Sequence, residues 1–287
     1  MILSIDTFFE LLSEEISINK ELRSYHKFCE NTSATRNAFR KAYFIQRLAY
    51  LRQCLEKLPN QAQIWDVGCG YGSESIFMAL LLPNAQVFGS TLEYYYELLP
   101  QRLDFWKQKG FDLSNLTFEY QNLFDCQPSQ KRFDLIFAQD TLHHVEPITK
   151  ALIHLQNCLN PTGKMVVCEE NGSNLINTLV HFRQRGFKRV GTYYDKQKDI
   201  NIPFGNENTR SLEHWEKLLL ESAWKIDPNS VEYIRFYFPR FYRKYSLNEI
   251  IAKEQKLWPN HYIFRKYFFF GINFTAEICK PSNITQN

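Results

Sequence analysis

The feature that most constrains the fold of this chain is a short apolar run that carries an acidic residue and leads into three alternating glycines. Residues 64–67 have the length and composition of a buried strand and include Asp66; Gly68, Gly70 and Gly72 follow. A second apolar run, with helical character, comes next. The pattern predicts a strand, a tight turn and a helix, because glycine tolerates positive φ and lets another molecule approach the backbone. The start of that helix would offer unpaired N–H groups to a ligand.

The glycine spacing narrows the kind of ligand. The fingerprint for a dinucleotide pyrophosphate is G-x-G-x-x-G, whereas this chain has D-x-G-x-G-x-G. That pattern resembles motif I of the class I S-adenosylmethionine-dependent methyltransferases, where the loop leaves room for the methionine part of the cofactor. The resemblance implies S-adenosylmethionine as cofactor, with Asp66, Gly68, Cys69, Gly70 and Gly72 in its site. A glycine-rich turn of some other α/β protein is the alternative.

Four later segments follow in the order found in that family, and with motif I they extend the resemblance over roughly residues 60 to 175. Strand patterns occur at 86–89, 116–120, 133–138 and 164–168, with helical patterns between them. The implied fold class is α/β, with a Rossmann-like seven-stranded, mostly parallel sheet that is flanked by helices and has an antiparallel last strand.

The rest of the chain predicts additions to this core. Apolar residues recur at helical spacing before the first strand, with a polar break at 31–36, so residues 1–60 are expected to form a helical cover. Residues 61–287 are expected to form the methyltransferase domain, with a core at 61–175. A lid or insertion after strand five and the final strands would occupy 176–287. The elements expected there are a long loop at 192–208, a helix from Ser211, strands within 225–238 and 267–279, and a helix at 247–257.

The second strand ends where the family binds the cofactor's ribose. Relatives usually place an acidic residue two positions after the glycine that here is Gly89, but this chain has Thr91. The segment is similar to that of cyclopropane fatty acid synthase-type methyltransferases, in which threonine takes the acidic position. The resemblance therefore implies Thr91 or Glu93 as the ribose contact, while Glu93 is alternatively a helix-start acid favoured by the helix dipole.

The third strand leads to the residues that the family uses for the adenine. Asn122 is the first candidate there, with Leu123 beside it, and Asp125 is the alternative to Asn122. Asparagine and aspartate also form turns without any ligand, so a turn remains the other interpretation.

The loop after the fourth strand, from Gln139 to Pro147, resembles the segment from which the transferred methyl group emerges. Gln139 is expected on the cofactor side. His143 and His144 are the candidate general bases, because the pKa of imidazole lies near neutrality. One of them is alternatively structural, and methyl transfer can proceed by proximity and orientation alone.

Two further sets of polar residues are candidates for ligand contacts. Residues of the helical cover are expected to meet the cofactor carboxylate, unless they form a solvated helix face; they are Tyr25, Arg36 and Arg40. Residues after the fifth strand are expected to bind substrate or take a proton, unless they cap a helix; they are Glu169, Glu170 and Asn171.

Residues 235–270 form an aromatic and basic segment, with thirteen aromatic residues and eight Lys or Arg against two Glu. The composition is compatible with a pocket for a flat or greasy substrate, with peripheral contact to an anionic membrane, or with a dimer contact. Aromatic packing with solvated charges is the simplest interpretation.

The composition of the chain limits the classes of partner and the location that are expected. A net charge of +3 over 287 residues argues against nucleic acid as a partner, and no run of eighteen apolar residues indicates a membrane span. The N-terminus carries early acids and no basic region, which argues against a secretory signal. Seven cysteines without C-x-x-C spacing favour reduced thiols in the cytoplasm. No ligand cluster stands out along the sequence, so no metal is expected, and a monomer or a homodimer is equally compatible.

The sequence thus predicts a methyltransferase that uses S-adenosylmethionine to methylate an O, N or C nucleophile of a small molecule, with aromatic, lipid-like or acidic character. The rival functions are an RNA or protein methyltransferase, a cofactor-binding protein without turnover, and a nicotinamide-dependent oxidoreductase. The glycine spacing argues against the last of these.

Overall fold

A central sheet with helices packed on both faces organises the chain; the computed structural model describes residues 4–26, 34–92, 94–129, 131–257 and 262–279. The strands are β1 (Gln63–Val67), β2 (Gln86–Thr91), β3 (Leu116–Tyr120), β4 (Phe133–Gln139), β5 (Leu159–Glu170), β6 (Val190–Asp195), β7 (Ile200–Gly205), β8 (Trp224–Ile226), β9 (Glu232–Ile234) and β10 (Gly271–Ile278). The helices are α1 (Ile5–Ile18), α2 (Lys20–His26), α3 (Ala34–Leu55), α4 (Ser73–Leu81), α5 (Tyr94–Gln108), α6 (Ile148–Cys158), α7 (Leu175–Arg185), α8 (Leu212–Glu221), α9 (Leu247–Gln255) and α10 (Tyr262–Tyr267).

The sheet has the strand order β3-β2-β1-β4-β5-β10-β8, and β9 also pairs with β10. Strands β1 to β5 run parallel, and β10 is antiparallel to β5 and to β8. Ile64 and Trp65 of β1 point to opposite faces and are both fully buried, as expected of a strand covered on both sides. The order changes direction at β1 and β4, so a crevice opens beyond the carboxyl ends of these strands.

The fold class predicted from the sequence is confirmed, and the sheet has eight strands instead of seven. The expected sixth strand is interrupted by a 3-10 turn at Pro228–Ser230, which leaves β8 and β9 as two short strands. The Asp227 side chain accepts a hydrogen bond from the Asn229 N–H at 2.9 Å, and Pro228 has no N–H to give to a ladder.

The prediction of a long loop at 192–208 was wrong, because β6 and β7 form an antiparallel hairpin there. The strands were missed because most residues of the hairpin are half-buried or exposed, and because β7 contains Pro203, which argues against a strand in a sequence pattern. The hairpin is joined to the loop after β4: the Gly205 N–H donates to the His144 carbonyl at 2.8 Å. The hairpin lies within residues 176–287, where the sequence predicts a lid or insertion.

The helices before β1 are tied to the sheet by a buried ion pair. Glu15 of α1 accepts hydrogen bonds from Arg102 at 2.8 and 2.7 Å and from the Trp106 indole at 3.0 Å. Arg102 also donates to the Tyr71 carbonyl and, at 3.0 Å, to the Ser73 hydroxyl at the start of α4. The pair therefore joins the N-terminal helices to the glycine-rich loop. Residues 31–33 of the predicted polar break lie outside the described residues.

Neighbouring glutamates of α1 provide a matched test of this anchor. Glu15→Gln is expected to lower the free energy of unfolding by about 3–5 kcal/mol, because it leaves the buried Arg102 guanidinium without its anion. Glu14→Gln removes a largely exposed pair with Lys109 and is expected to cost less than about 1 kcal/mol. Urea denaturation measures both, and equal losses would contradict the assigned role of Glu15.

Candidate active site

The glycine-rich loop is held between neighbouring side chains at the end of β1. Gly68 and Gly72 have φ of 67° and 73°, in the region that favours glycine. A Cβ at Gly68 would overlap the Thr141 side chain, and one at Gly72 would lie 2.5 Å from the Phe118 ring. The loop therefore needs glycine at both positions, and it brings backbone N–H groups of the α4 start to the carboxyl edge of the sheet.

Asp66 lies beneath this loop, not on its ligand side. It is almost fully buried and accepts a hydrogen bond from the Ser75 hydroxyl at 2.6 Å. Burial raises the pKa of its carboxyl to about 8, although the hydrogen bond from Ser75 opposes the shift. Cys69 is also buried.

A cavity of about 1360 Å³ runs along the carboxyl edge of the sheet. It extends from the glycine-rich loop, past the ends of β2, β3 and β4, to the β6–β7 hairpin. Of the residues that the sequence assigned to the cofactor or to catalysis, those that line it are Gly68, Gly70, Thr91, Asn122, Leu123, Gln139, His143 and His144. Of the same set, Asp66, Cys69 and Gly72 do not line it, and Glu93 lies outside the described residues.

The N-terminal helices close one side of the cavity over the glycine-rich loop. The Tyr25 hydroxyl of α2 would lie 2.9 Å from a Cβ at Gly70. Tyr25, Tyr71 and Tyr95 pack edge to face, with ring centroids 4.8 to 5.8 Å apart. Of the other residues predicted to meet a cofactor carboxylate, Arg40 lines the cavity and Arg36 does not.

An ion pair that the sequence did not reveal crosses the cavity wall. Arg47 of α3 donates both guanidinium arms to the Asp140 carboxylate, one of them at 2.8 Å. Burial alone would raise the pKa of Asp140, but the charge of Arg47 outweighs it and lowers that pKa. Asp140 has a φ of 47°, in the left-handed region. The position of Asp140 directly after Gln139 could have marked it as a site residue in the sequence. No residue near Arg47 in the sequence marks that arginine.

His143 is buried and held by a carboxylate from the next strand. Its Nδ1–H donates to Glu169 Oε2 at 2.5 Å, and the N–H groups of Leu142 and His143 donate to Glu169 Oε1 at 2.7 and 3.3 Å. Burial alone lowers the pKa of His143, but the Glu169 charge and hydrogen bond outweigh it and raise that pKa to about 9.

His144 has the opposite electrostatic setting. Its Nδ1–H donates to the Gly205 carbonyl at 2.8 Å, and its ring stacks on Phe204 at 4.7 Å. Burial and the neighbouring His143 lower its pKa. A neutral ring that donates from Nδ1 keeps its lone pair on Nε2, so the two adjacent histidines differ in protonation behaviour.

Two glutamates from separate segments complete this end of the cavity. Glu207, with a φ of 50°, has Oε2 at 3.7 Å from His143 Nε2 and at 3.8 Å from His181 Nδ1. Glu170, which lines the cavity, accepts a hydrogen bond from His181 Nε2 at 2.8 Å. Neither Glu207 nor His181 was predicted, because both come from the insertion after strand five.

The other polar residues after β5 are structural. Asn171 donates to the Arg265, Lys266 and Phe269 carbonyls at 3.0 to 3.2 Å. Asn174 caps α7 by accepting from two backbone N–H groups. The capping interpretation of this cluster therefore fits Asn171 and its neighbours, and Glu170 is the member that lines the cavity.

The aromatic and basic segment is packed in the part that the structure describes. The Phe236 ring lies 5.2 Å from Phe269 and 5.6 Å from Phe264. The Arg235 guanidinium lies 4.1 to 4.8 Å from three ring centroids and lines the cavity; the rings are those of Phe39, Tyr43 and Phe270. Among the described residues of the segment, Arg235 lines the cavity, while the rings pack against one another and against Arg235.

The strand order, the glycine-rich loop and the cavity at the switch point define a class I S-adenosylmethionine-dependent methyltransferase fold. The sequence matches the methyltransferase domain family over residues 59–221, more than half of the chain. The chain therefore belongs to this family, and the resemblance found in the sequence is confirmed.

Individual relatives agree with this assignment. An uncharacterized methyltransferase of Schizosaccharomyces pombe is 24% identical over 166 residues, 56% of this chain and 57% of that protein. The malonyl-[acyl-carrier protein] O-methyltransferase 1 of Ilyobacter polytropus is 27% identical over 106 residues, 37% of each chain. The chain thus spans between about a third and three fifths of the length of these curated relatives.

Solved structures with the same fold are more distant in sequence. The magnesium protoporphyrin IX methyltransferase of Synechocystis, solved with bound S-adenosylhomocysteine, has a TM-score of 0.55 at 15% identity; the match covers 91% of this chain and 95% of that one. A sarcosine dimethylglycine methyltransferase structure from Galdieria sulphuraria has a TM-score of 0.51 at 15% identity, covering 80% and 83%. None of the helices described here is long and apolar enough to cross a membrane.

The buried Asp66 predicts a pH-dependent stability. In an unfolded chain its pKa is about 3.9, whereas in the fold it is about 8. Between these values the folded state keeps a proton that the unfolded state releases, so wild-type stability falls as pH rises. Asp66→Asn removes the ionisable group. Without cofactor, the melting temperature of this variant minus that of the wild type is therefore expected to increase as the pH rises through that window. Asp104→Asn, at an exposed site on α5, is the control. A gain for Asp66→Asn that does not change with pH would refute the prediction.

Proposed function

We propose that this protein transfers a methyl group from S-adenosylmethionine to an O, N or C nucleophile of a small molecule. The observation that carries the proposal is the continuous cavity from the glycine-rich loop to His143 and His144. Its volume of about 1360 Å³ exceeds the roughly 300–1,000 Å³ of a pocket for one drug-sized ligand. The cavity therefore has room for a cofactor and an acceptor together.

The residues along the cavity suggest how the cofactor lies. The methionine part would pass over Gly68 and Gly70, with Tyr25 and Arg40 beside its carboxylate. The ribose would lie at Thr91, and the adenine near Asn122 and Leu123, with Gln139 alongside. Asp66, Cys69 and Gly72 would support the loop from below without facing the ligand.

Methyl transfer needs alignment more than covalent chemistry. The acceptor's lone pair forms the new bond to the methyl carbon as the bond from that carbon to sulfur breaks, and S-adenosylhomocysteine leaves. The sulfonium loses its positive charge in this step. Water would stabilise the charged ground state more than the transition state, so a site that excludes water avoids this penalty. The tyrosines over the glycine-rich loop and the β6–β7 hairpin are the elements that exclude water.

We assign His143 and His144 to the acceptor side. An acceptor hydroxyl or amine must lose a proton as it is methylated. His144, whose pKa is lowered, would take that proton, whereas His143, whose pKa is raised to about 9, would hold its own proton and donate a hydrogen bond to the acceptor. Glu169 fixes the ring of His143, and the Gly205 carbonyl fixes the ring of His144. Both rings are thus positioned before any ligand binds, which favours a role in chemistry.

Calorimetric titration tests the cofactor. Wild-type protein is expected to bind S-adenosylmethionine and S-adenosylhomocysteine but not NADH. Gly70→Arg is expected to abolish binding, because the new side chain points toward the Tyr25 hydroxyl and fills the cofactor's path. Gly191→Arg is the matched control, since a Cβ there meets no atom of the described residues within 4 Å. Folded wild-type protein that binds neither sulfur compound would refute the proposed function; where it does bind, labelled-methyl uptake by fractionated extracts identifies the acceptor.

A pair of threonines tests the ribose contact. Thr91→Val is expected to raise the Kd for S-adenosylhomocysteine about 5- to 10-fold, the effect of one hydrogen bond worth about 1 kcal/mol. Thr117→Val on β3 replaces an exposed threonine away from the cavity and should leave that Kd unchanged. If the two variants bind equally well, Thr91 is not the ribose contact.

A further inference from the structure

We propose that His143, His144 and Glu207 bind a divalent transition-metal ion at the acceptor end of the cavity. Their candidate ligand atoms lie within 4.8 Å of one another, and all three residues line the cavity. The sequence gave no reason to expect a metal, because Glu207 is about sixty residues from the histidines and reaches them through the β6–β7 hairpin. Only the fold reveals the cluster.

Both histidines are arranged as metal ligands usually are. A ligating histidine commonly donates its other ring N–H to a carboxylate or a backbone carbonyl, which fixes the ring and its tautomer. His143 donates from Nδ1 to Glu169, and His144 donates from Nδ1 to the Gly205 carbonyl. Nε2 is thus the ring atom of each histidine that is not used by these partners, and His143 Nε2 lies 3.7 Å from Glu207 Oε2. An ion would displace the proton from His143 Nε2 when it binds.

The distance across the cluster is close to that of a metal site. Two ligands about 2.0–2.2 Å from a tetrahedral ion are about 3.3–3.6 Å apart. His143 Nε2 and Glu207 Oε2 are 3.7 Å apart, too far for a hydrogen bond and near the ligand spacing. A shift of a few tenths of an ångström in the half-exposed Glu207 side chain would accommodate an ion.

A third histidine independently points to a missing partner. The His181 side chain is nine-tenths buried, and its Nδ1 atom has no hydrogen-bond partner among the residues that the structure describes. That atom lies 3.8 Å from Glu207 Oε2, while Nε2 of the same ring donates to Glu170. An ion on Glu207, or a water molecule bound to that ion, would satisfy this buried nitrogen.

The neighbouring carboxylates do not compete for the ion. Asp140 is neutralised by Arg47, and Glu169 already accepts from the Leu142 and His143 N–H groups. Three ligands of the imidazole and carboxylate type suit Zn²⁺, Fe²⁺, Co²⁺ or Mn²⁺ better than Ca²⁺ or Mg²⁺.

Three protein ligands leave the ion an open position, as in catalytic sites. That position would face the cavity, where the proposed function puts the acceptor. An acceptor with an oxygen donor, such as a phenol, a catechol or a carboxylate, would bind to the ion and so be held near the methyl group. This role in substrate choice rests on the proposed function, whereas metal binding itself does not.

Titration of tag-free protein with Co²⁺ in mildly alkaline buffer tests the site, since imidazole ligands must be free of protons. The visible absorption of bound Co²⁺ is expected to saturate at one equivalent, and Zn²⁺ should displace it. Loss of an outer partner typically weakens a metal site 10- to 100-fold. Glu207→Gln and His144→Gln each remove a direct ligand, so each should weaken Co²⁺ binding at least about 100-fold.

His214→Gln and Glu216→Gln remove the same residue types from exposed positions on α8 and should bind Co²⁺ like the wild type. Titration with S-adenosylhomocysteine separates this proposal from the proposed function: the Glu207 and His144 variants should retain that binding, which also shows that they are folded. Absence of a saturable Co²⁺ signal in the wild type, or its persistence in both ligand variants, would overturn the metal site even if the cofactor binds.

Discussion

The buried guanidinium of Arg102 connects the parts of the molecule on which the site depends. It donates to the Glu15 carboxylate of α1, to the Tyr71 carbonyl of the glycine-rich loop and to the Ser73 hydroxyl at the start of α4. A buried charge is tolerated only when it is paired and hydrogen-bonded, so the three segments have to come together around it. The N-terminal helices are thereby fixed over the loop, and Tyr25 is brought above Gly70.

The same arrangement recurs around the cavity, where charges from distant segments are paired before any ligand arrives. Arg47 of α3 holds Asp140, Glu169 of β5 holds His143, and Glu170 holds His181. Each pair restrains one side chain of the cavity wall through a partner on another element. These side chains of the site are therefore positioned by partners on other elements before a ligand binds.

The core of the fold and the glycine-rich end of the site could be predicted from the sequence, because both depend on patterns of residues that are close together in the chain. The strand and glycine signals of residues 64–72 depend on nearby residues, and the parallel order then places Thr91, Asn122 and Gln139 at one edge. Arg47 and Glu207 have no such signal, since an arginine on a helix or a glutamate in a loop becomes informative only when a partner faces it. The β6–β7 hairpin was missed because most of its residues are not buried. The division of the sixth strand into β8 and β9 depends on a single Asp-Pro turn.

The insertion after strand five is part of the site as well as its cover. The Gly205 N–H and carbonyl bind the backbone and the ring of His144, and a side chain at Gly205 would overlap the His143 carbonyl. Two residues further, Glu207 faces His143 and His181. Moving the hairpin outward would therefore release the His144 ring and separate Glu207 from its neighbours. The position of the hairpin and the geometry of the histidine cluster thus depend on each other, and an ion bound to that cluster would add a further link between the hairpin side and the loop after β4.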